Sequence, residues 1–277
     1  MIFETYIPPP PLGIFVESLI YHESYDPLHH CERFLPDGNV ELIIDLNDAP
    51  QYIYDNDTLK EIQTCHNVWA SGVRTAPITI PAGRDSAMAI VAFKRGMAYP
   101  FFPFPMDEIS DCVVDADLIW GSGFAELREQ VLANRRTREK FTVIEHFLVT
   151  NFLDRMTLNP CVEYAVSEMI ATPHGTTVAR LTDRIGYSQK HFISMFRRQV
   201  GVTPKQYLKL MRFQRVVNAI ETEQVCDWSE LSLDCGFFDQ SHFINDFRSL
   251  SGFTPEDYAR RRGGFLNYVP MERPSDR

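Results

Sequence analysis

The chain has 277 residues and a formal net charge of −10 at pH 7. That is length enough for two domains, each able to bury a core, and the wrong overall sign for indiscriminate adhesion to nucleic acid. No apolar run approaches the roughly 20 residues that a membrane-spanning helix needs, and the start Met1-Ile2-Phe3-Glu4 lacks the basic region of a secretory signal. The six cysteines, at 31, 65, 112, 161, 226 and 235, show no CxxC spacing, as expected of reduced, structural thiols in a cytoplasmic protein.

The first third is punctuated like a β domain. Asn39 to Leu46 follows the turn Pro36-Asp37-Gly38 and predicts a strand. Gln51 to Tyr54, Val68 to Val73, Ile78 to Ile80 and Ala87 to Lys94 predict further strands, separated by turns such as Pro81-Ala82-Gly83 and Arg95-Gly96. Many short strands with Gly and Pro between them predict a barrel or sandwich. His22, His29, His30 and Glu32 hold donor types that bind metals, but the adjacent His29 and His30 would point to opposite faces of a strand. Cys65-His66 is equally weak, so no metal and no other cofactor is expected. Arg33, Glu41, Arg74 and Arg95 could line a pocket, although strand-end ion pairs are the commoner use of such residues. The aromatic stretch Tyr99 to Pro105 fits burial against helices that follow, ahead of a cover over a barrel mouth or a partner surface. Those helices are predicted over Phe124 to Ala133, Thr137 to about Arg155, and from Asn159-Pro160 to Ile170. Thr172-Pro173-His174-Gly175 then breaks the chain.

Beyond the break a unit of about 30 residues occurs twice. Leu181 to Ser188 reappears as Leu231 to Phe238, His191-Phe192 as His242-Phe243, Phe196-Arg197 as Phe247-Arg248, and Gly201-Val202-Thr203-Pro204 as Gly252-Phe253-Thr254-Pro255. The offset is 50 residues up to the glycine and 51 after it, as one insertion in a turn would give. In the first copy Val178, Leu181 and Ile185 recur at helical spacing, with Thr176 or Thr177 as cap. Gly186 stops that helix, and Ser188 caps a second over Gln189 to Val200, whose apolar face is Phe192, Met195, Phe196 and Val200. The second copy runs from Trp228, turns at Gly236 and restarts near Asp239. Helix, glycine turn and capped helix is the helix-turn-helix arrangement, in which the second helix enters the major groove. Thr203-Pro204 opens a connecting helix to about Glu221, whose Tyr207, Leu208, Met211, Val216, Val217 and Ile220 can face both units. Such a connector would fix the spacing of two reading helices over successive grooves.

Residues 160 to 262 resemble the DNA-binding domain of AraC/XylS-type transcriptional regulators, most closely in Gly236 to Phe243, Phe247-Arg248 and Gly252-Phe253-Thr254-Pro255. The resemblance implies promoter binding by a paired helix-turn-helix domain, switched or dimerised by a second domain. Many members carry an arginine at the places of Ser194 and Asn245, so the bases read here differ. By matching position, the candidate base contacts are Gln189, Lys190, Ile193 and Ser194 in the first helix, and Gln240, Ser241, Ile244 and Asn245 in the second. Arg197, Arg198, Lys205 and Arg248 are the candidate phosphate contacts. His191 and His242 are expected to pack locally. Glu32 to Ile44, Trp69 to Arg74 and Phe93 to Gly96 resemble the N-terminal domain of a poorly characterised subgroup, presumed cupin-like and sensory.

The charge distribution agrees with this placement. Thr176 to Ala219 holds nine basic residues and the single acid Asp183, whereas Cys226 to Arg262 holds four arginines and seven acids. The first unit should dominate phosphate attraction. The expected whole is an α+β chain. Residues 1–120 form a β-rich cupin-like sensory domain, 121–172 a helical linker or dimerisation region, 173–263 the double helix-turn-helix, and 264–277 a tail. The expected partners are double-stranded promoter DNA, RNA polymerase, an unidentified small-molecule effector and a second copy of the chain, with no membrane. Enzymatic activity is not expected. Pro160-Cys161-Val162-Glu163 does not reproduce the Pro-Cys-His-Arg active site of DNA alkylation-repair proteins, which share this type of DNA domain, and no nucleophile elbow, P-loop or HExxH occurs.

Overall fold

Leu42, Ile43 and Ile44 are consecutive and all buried. A strand achieves this only when both of its faces are covered, and that requirement organises the N-terminal half. The computed structural model describes residues 1–83, 86–222, 228–237 and 239–272; Cys226 and Phe238 lie outside them. In chain order the strands are β1 (Ile2–Tyr6), β2 (Val16–Glu23), β3 (Cys31–Phe34), β4 (Glu41–Asp45), β5 (Gln51–Tyr54), β6 (Glu61–Cys65), β7 (Val68–Ser71), β8 (Ile78–Pro81), β9 (Ala87–Phe93), β10 (Val113–Asp115) and β11 (Tyr268–Met271). They form one sheet in the order β1-β2-β9-β4-β7-β10 and another in the order β11-β3-β8-β5-β6. The paired neighbours are antiparallel.

Alternation along β4 assigns its two faces. Ile43 packs with Ile53, Cys65, Trp69, Ile78 and Val113, and with Phe34, Ile80, Met88 and Ile90, filling the space between the sheets. Leu42 and Ile44 point the other way, into a larger core with Val68, Ala70, Ala89 and Val91. That outer face is roofed by α2 (Gly123–Ala133) and α3 (Thr137–Phe152), which follow the short α1 (Ala116–Trp120). Leu127, Val131, Phe141 and Ile144 supply the apolar contact. Arg128 fixes the roof by donating to the carbonyls of Asp45 at 2.7 Å and Asn47 at 2.8 Å. Phe101 and Phe102, each 1% exposed, stack among Phe93, Trp120 and Phe152. The aromatic stretch is thus burial against helices. Residues 121–172 continue through α4 (Pro160–Ala171), opened by Asn159, whose side chain accepts from the Cys161 N–H.

Strands β1 and β6 carry no readable alternation, because as edge strands they expose nearly every residue. Within residues 264–277 the structure adds β11, which pairs with β3 from Tyr268 opposite Phe34 to Met271 opposite Cys31. The chain therefore returns to the N-terminal sheet after completing the helical region. The two regions do not bury separate cores. One continuous apolar cluster runs from Leu12 through Phe93, Phe124 and Val166 to Phe192, Phe213, Phe247, Tyr258 and Val269.

The repeat is reproduced in three dimensions. α5 (Val178–Ile185) and α6 (Gln189–Val200) form the first unit, α7 (Pro204–Thr222) connects, and α8 (Trp228–Asp234) and α9 (Gln240–Ser251) form the second, followed by α10 (Pro255–Arg261). Gly186 and Gly236 both sit at φ +81°, the left-handed conformation that the turn needs. Ser188 and Asp239 cap α6 and α9 by accepting from the N–H groups of His191 and His242. Phe196 meets Tyr207 at 5.6 Å between ring centroids, and Phe247 meets Tyr258 at 5.7 Å. Phe192 and Phe243 are both fully buried. Phe192→Ala and Phe243→Ala should each cost about 3–5 kcal/mol, read by urea denaturation of the full chain. A loss confined to one of the two would show that the units do not share a core design.

Candidate nucleic-acid interface

Each reading helix is amphipathic, so its solvent face is what burial leaves over. On α6 this leaves Gln189, Lys190 and Ser194 exposed and Ile193 half-buried. On α9 it leaves Gln240, Ser241 and Asn245 exposed, with Ile244 half-buried against the core. The eight candidate base contacts therefore occupy equivalent places on the two helices. His191 packs edge-on against Tyr187, with ring centroids 5.0 Å apart. His242 lies 3.4 Å from Asp246 and edge-on to Phe237.

The candidate phosphate contacts divide into two kinds. Lys205 and Arg248 are exposed, as is Lys190, and among the described residues none of the three has an ion-pair partner. Arg197 and Arg198 are engaged by the N-terminal region. Arg197 Nη2 lies 2.8 Å from Asp107 Oδ2, and Arg198 Nε donates to the Tyr99 hydroxyl at 3.0 Å. Beside them, the Ser110 hydroxyl donates to the Gly201 carbonyl at 2.5 Å. Asp107 lies in a 3₁₀ turn over Met106–Glu108. The end of the first reading helix is thus docked on residues 99–110, contacts that helix periodicity could not reveal.

Other basic residues hold the helical region together. Lys209 on α7 pairs with Asp246 on α9 at 2.9 Å. Arg212 donates to the Pro173 carbonyl at 3.0 Å, and Arg215 meets His174 Nδ1 at 3.2 Å. The break at Thr172–Gly175 is thereby tied to α7.

The connecting helix holds the largest surprise. Besides the six residues that the spacing singles out, Leu210, Phe213 and Gln214 are buried as well. Leu210, Met211 and Gln214 meet the Pro36–Asn39 turn, whereas Phe213 packs on Phe247 with ring centroids 5.0 Å apart. Gly38 approaches so closely that an added Cβ would lie 2.8 Å from Met211 Cε. Gln214 Nε2 donates to the Pro36 carbonyl at 2.8 Å and to Asn267 Oδ1 at 3.0 Å.

Arg33, Glu41, Arg74 and Arg95 do not line one pocket but separate into three places. Arg33 stacks over the Phe253 ring at 5.2 Å, joining β3 to the second unit. Arg74 reaches the Asp111 carbonyl at 3.4 Å. Arg95 Nε donates to the Asp37 carbonyl at 2.7 Å, and Glu41 stands beside Asp37. Among the described residues no ion pair joins these arginines to a carboxylate. Of the histidines near the start, His29 bonds Glu32 at 2.7 Å, and the Tyr25 hydroxyl donates to the same carboxylate. Burial, reinforced by the neighbouring Asp37, pushes the Glu41 carboxyl up to about 8. Its folded form thus holds a proton that the unfolded chain releases near 4.5. Stability from this group is full below that value and is lost as pH rises towards 8. Glu41→Gln should flatten the fall in denaturation midpoint between pH 5 and pH 8, and an unchanged pH profile would remove Glu41 as its source.

Comparison with known proteins gives separate matches for the two parts of the chain. Residues 181–261 match a family described as a helix-turn-helix domain, and residues 4–115 match a family described as a domain of unknown function, DUF6597. The probable transcriptional regulator LumQ of Photobacterium leiognathi is 34% identical over 82 residues, 30% of this chain and 33% of that protein. The transcriptional activator RhaS of Escherichia coli O157:H7 is 27% identical over 86 residues, 31% of each chain. The match therefore spans about a third of the length of these curated relatives. Among solved structures, ToxT from Vibrio cholerae aligns over 93% of this chain and 98% of its own at 10% identity and TM-score 0.46. The DNA-binding domain of AdpA in complex with a target DNA aligns over 37% of this chain and 92% of its own at 24% identity and TM-score 0.34. No described helix is long and apolar enough to cross a membrane.

Proposed function

We propose that this chain, whose residues 181–261 are a helix-turn-helix domain of the AraC type, is a cytoplasmic, sequence-specific regulator of transcription that reads two successive major grooves of promoter DNA. The single observation that carries this reading is the duplicated unit, with equal turn conformations at Gly186 and Gly236 and equivalent exposed faces on α6 and α9. Gln189, Lys190, Ile193 and Ser194 read bases in one groove, and Gln240, Ser241, Ile244 and Asn245 in the next. Asn245 suits adenine, which asparagine meets with two hydrogen bonds. Lys205 and Arg248 neutralise phosphates without reading sequence.

Arg197 and Arg198 have a second role in this reading. The Asp107 carboxylate and the Tyr99 hydroxyl occupy the donors that phosphate would take. Docking on the N-terminal region and docking on DNA therefore compete for the same two guanidinium groups. The exposed Arg197–Asp107 pair is worth about 0–1 kcal/mol, small enough for DNA or an effector to overcome. The N-terminal region thus biases affinity, and a ligand shifts it only by binding the docked and released forms unequally.

Binding of the full chain to upstream DNA, titrated with salt, tests this directly. Affinity should fall steeply as salt rises, and salt-independent binding would refute the electrostatic part. Lys190→Ala and Asn245→Ala should reduce discrimination between specific and random DNA, the loss being about 1–3 kcal/mol where a two-bond base contact is removed. Arg197→Ala should weaken all sequences alike. Asp107→Ala combined with Tyr99→Phe should raise affinity for every sequence by several-fold. Unchanged or lower affinity in that double variant would exclude the competition.

A further inference from the structure

The N-terminal half holds the helical region at three places. The end of α6 sits on residues 99–110, through Arg197 and Arg198. The middle of α7 sits on the Pro36–Asn39 turn. The end of α9, with the tail that follows α10, sits on β3. This third place is closed by a strand. Residues 262–267 lead from α10 to β11, which sets Tyr268, Val269, Pro270 and Met271 opposite Phe34, Arg33, Glu32 and Cys31. The Leu35 N–H donates to the Asn267 carbonyl at 2.9 Å. Hydrogen-bonded and non-hydrogen-bonded pairs alternate along an antiparallel ladder. Counting on from Asn267 puts Pro270 in a non-hydrogen-bonded pair, where its missing N–H is no loss. Val269 is 0% exposed. Phe265 reaches Phe3 at 6.3 Å and Tyr25 at 5.8 Å, and Asn267 Oδ1 accepts from Gln214 at 3.0 Å.

Arg33 makes β3 a seat for the second unit as well as for the tail. Its backbone lies opposite Val269, and its guanidinium lies over the Phe253 ring at 5.2 Å. Arg261 of α10 lies over the same ring at 5.8 Å. A Cβ on Gly252, the residue that ends α9, would stand 2.6 Å from Arg33 Nη1. Arg33 is 6% exposed, and the acceptors it donates to are neutral: Thr79 Oγ1 at 3.3 Å and the Asn56 carbonyl. Among the described residues no carboxylate forms an ion pair with it. A buried cation held by neutral partners is weakly compensated for its desolvation. Such a contact stays closed only while its surroundings hold it closed, and β11 is the element that does so.

We propose that β11 is a latch on the helical region. Paired with β3, it keeps the end of α9 seated on Arg33, and thereby Arg197 and Arg198 on Asp107 and Tyr99. Unpaired, it lets the helical region rock about the Pro36–Asn39 turn and turns both arginines towards phosphate. The argument is mechanical. α7 is packed on Phe196 of one unit and Phe247 of the other, through Tyr207 and Phe213, so both units move with it. A body resting on a central contact and fastened at both ends does not rock. The fastening at α6 is a set of exposed side-chain contacts, whereas the one at β3 includes a strand with a buried valine. The strand is the firmer of the two, and its state governs the weaker one. Linkage makes the device reciprocal: by whatever factor the closed latch weakens DNA binding, DNA favours the open latch. The latch rests on the regulatory reading given above.

Met271→Cys in the full-length chain sets a thiol opposite that of Cys31, so oxidation locks the latch and dithiothreitol opens it. The locked form should bind specific and random DNA several-fold more weakly than the reduced form, and wild-type protein oxidised alongside controls for the other cysteines. DNA added first should slow formation of the disulfide. Val269→Asp, which loosens β11, should bind every sequence several-fold more tightly, with circular dichroism to check its fold; if it does not fold, the locked chain carries the test. Equal affinity of locked and reduced chains, or a folded Val269→Asp chain that binds no better than wild type, would overturn the latch. Failure of the disulfide to form would remove the pairing on which it rests. If no form binds DNA, the regulatory reading fails by itself. The latch is then read without DNA, as faster amide exchange at residues 99–110 in reduced than in oxidised Met271→Cys, and equal exchange would overturn it.

Discussion

α7 is covered around nearly its whole circumference, and the rest of the molecule is positioned by that fact. A helix with one neighbour buries one stripe. Pro204–Thr222 has four: α4, α6, α9 and the Pro36–Asn39 turn. Tyr207 closes on Phe196, Phe213 on Phe247, and Met211 on Gly38. Dense packing leaves such an element few ways to move by fractions of a turn. A shift at any one of these contacts must be taken up at the others, because the Pro36–Asn39 turn and both helix-turn-helix units are packed against one helix.

What the sequence disclosed and what it hid follow from the range of the interactions. Caps, glycine turns and helical periodicity act over three or four residues, so Ser188, Gly186 and the apolar face of α6 could be read from order alone. The repeat then certified them by showing each twice. Strands β1 and β6 were silent because edge strands satisfy no burial pattern, and β11 because its partner β3 lies at the opposite end of the chain. The face of α7 towards the Pro36–Asn39 turn was hidden for the same reason, since Gln214 reaches across the molecule to Pro36. The charge of the first unit was legible, but the use of Arg197 and Arg198 was not. Whether an exposed arginine is free or already engaged depends on Asp107 and Tyr99, residues that carry no motif.

The two helix-turn-helix units differ in charge more than in shape. Phe192, Phe196 and Tyr207 recur as Phe243, Phe247 and Tyr258, whereas the basic residues concentrate between Thr176 and Ala219. Asp246 draws Lys209 into the fold and so trims the positive charge that the second unit shows to solvent. Attraction to DNA would accordingly begin at α6, the same helix whose end the N-terminal region holds. Under the function proposed above, a hold on the more basic unit gives one small contact leverage over the first step of association.

The pairing of β11 with β3 also sets an order of events during synthesis. Strand β3 is made early, and its neighbour on one side is made only after both helix-turn-helix units have left the ribosome. Until then that side of the sheet presents unsatisfied backbone groups, the kind of edge along which other chains can pair. The nascent N-terminal region must therefore wait, partly open, for a strand encoded beyond both helix-turn-helix units. Its sheet is complete only when the helical region is already in place, so a half-made chain would have neither a closed sheet edge nor a docked α6.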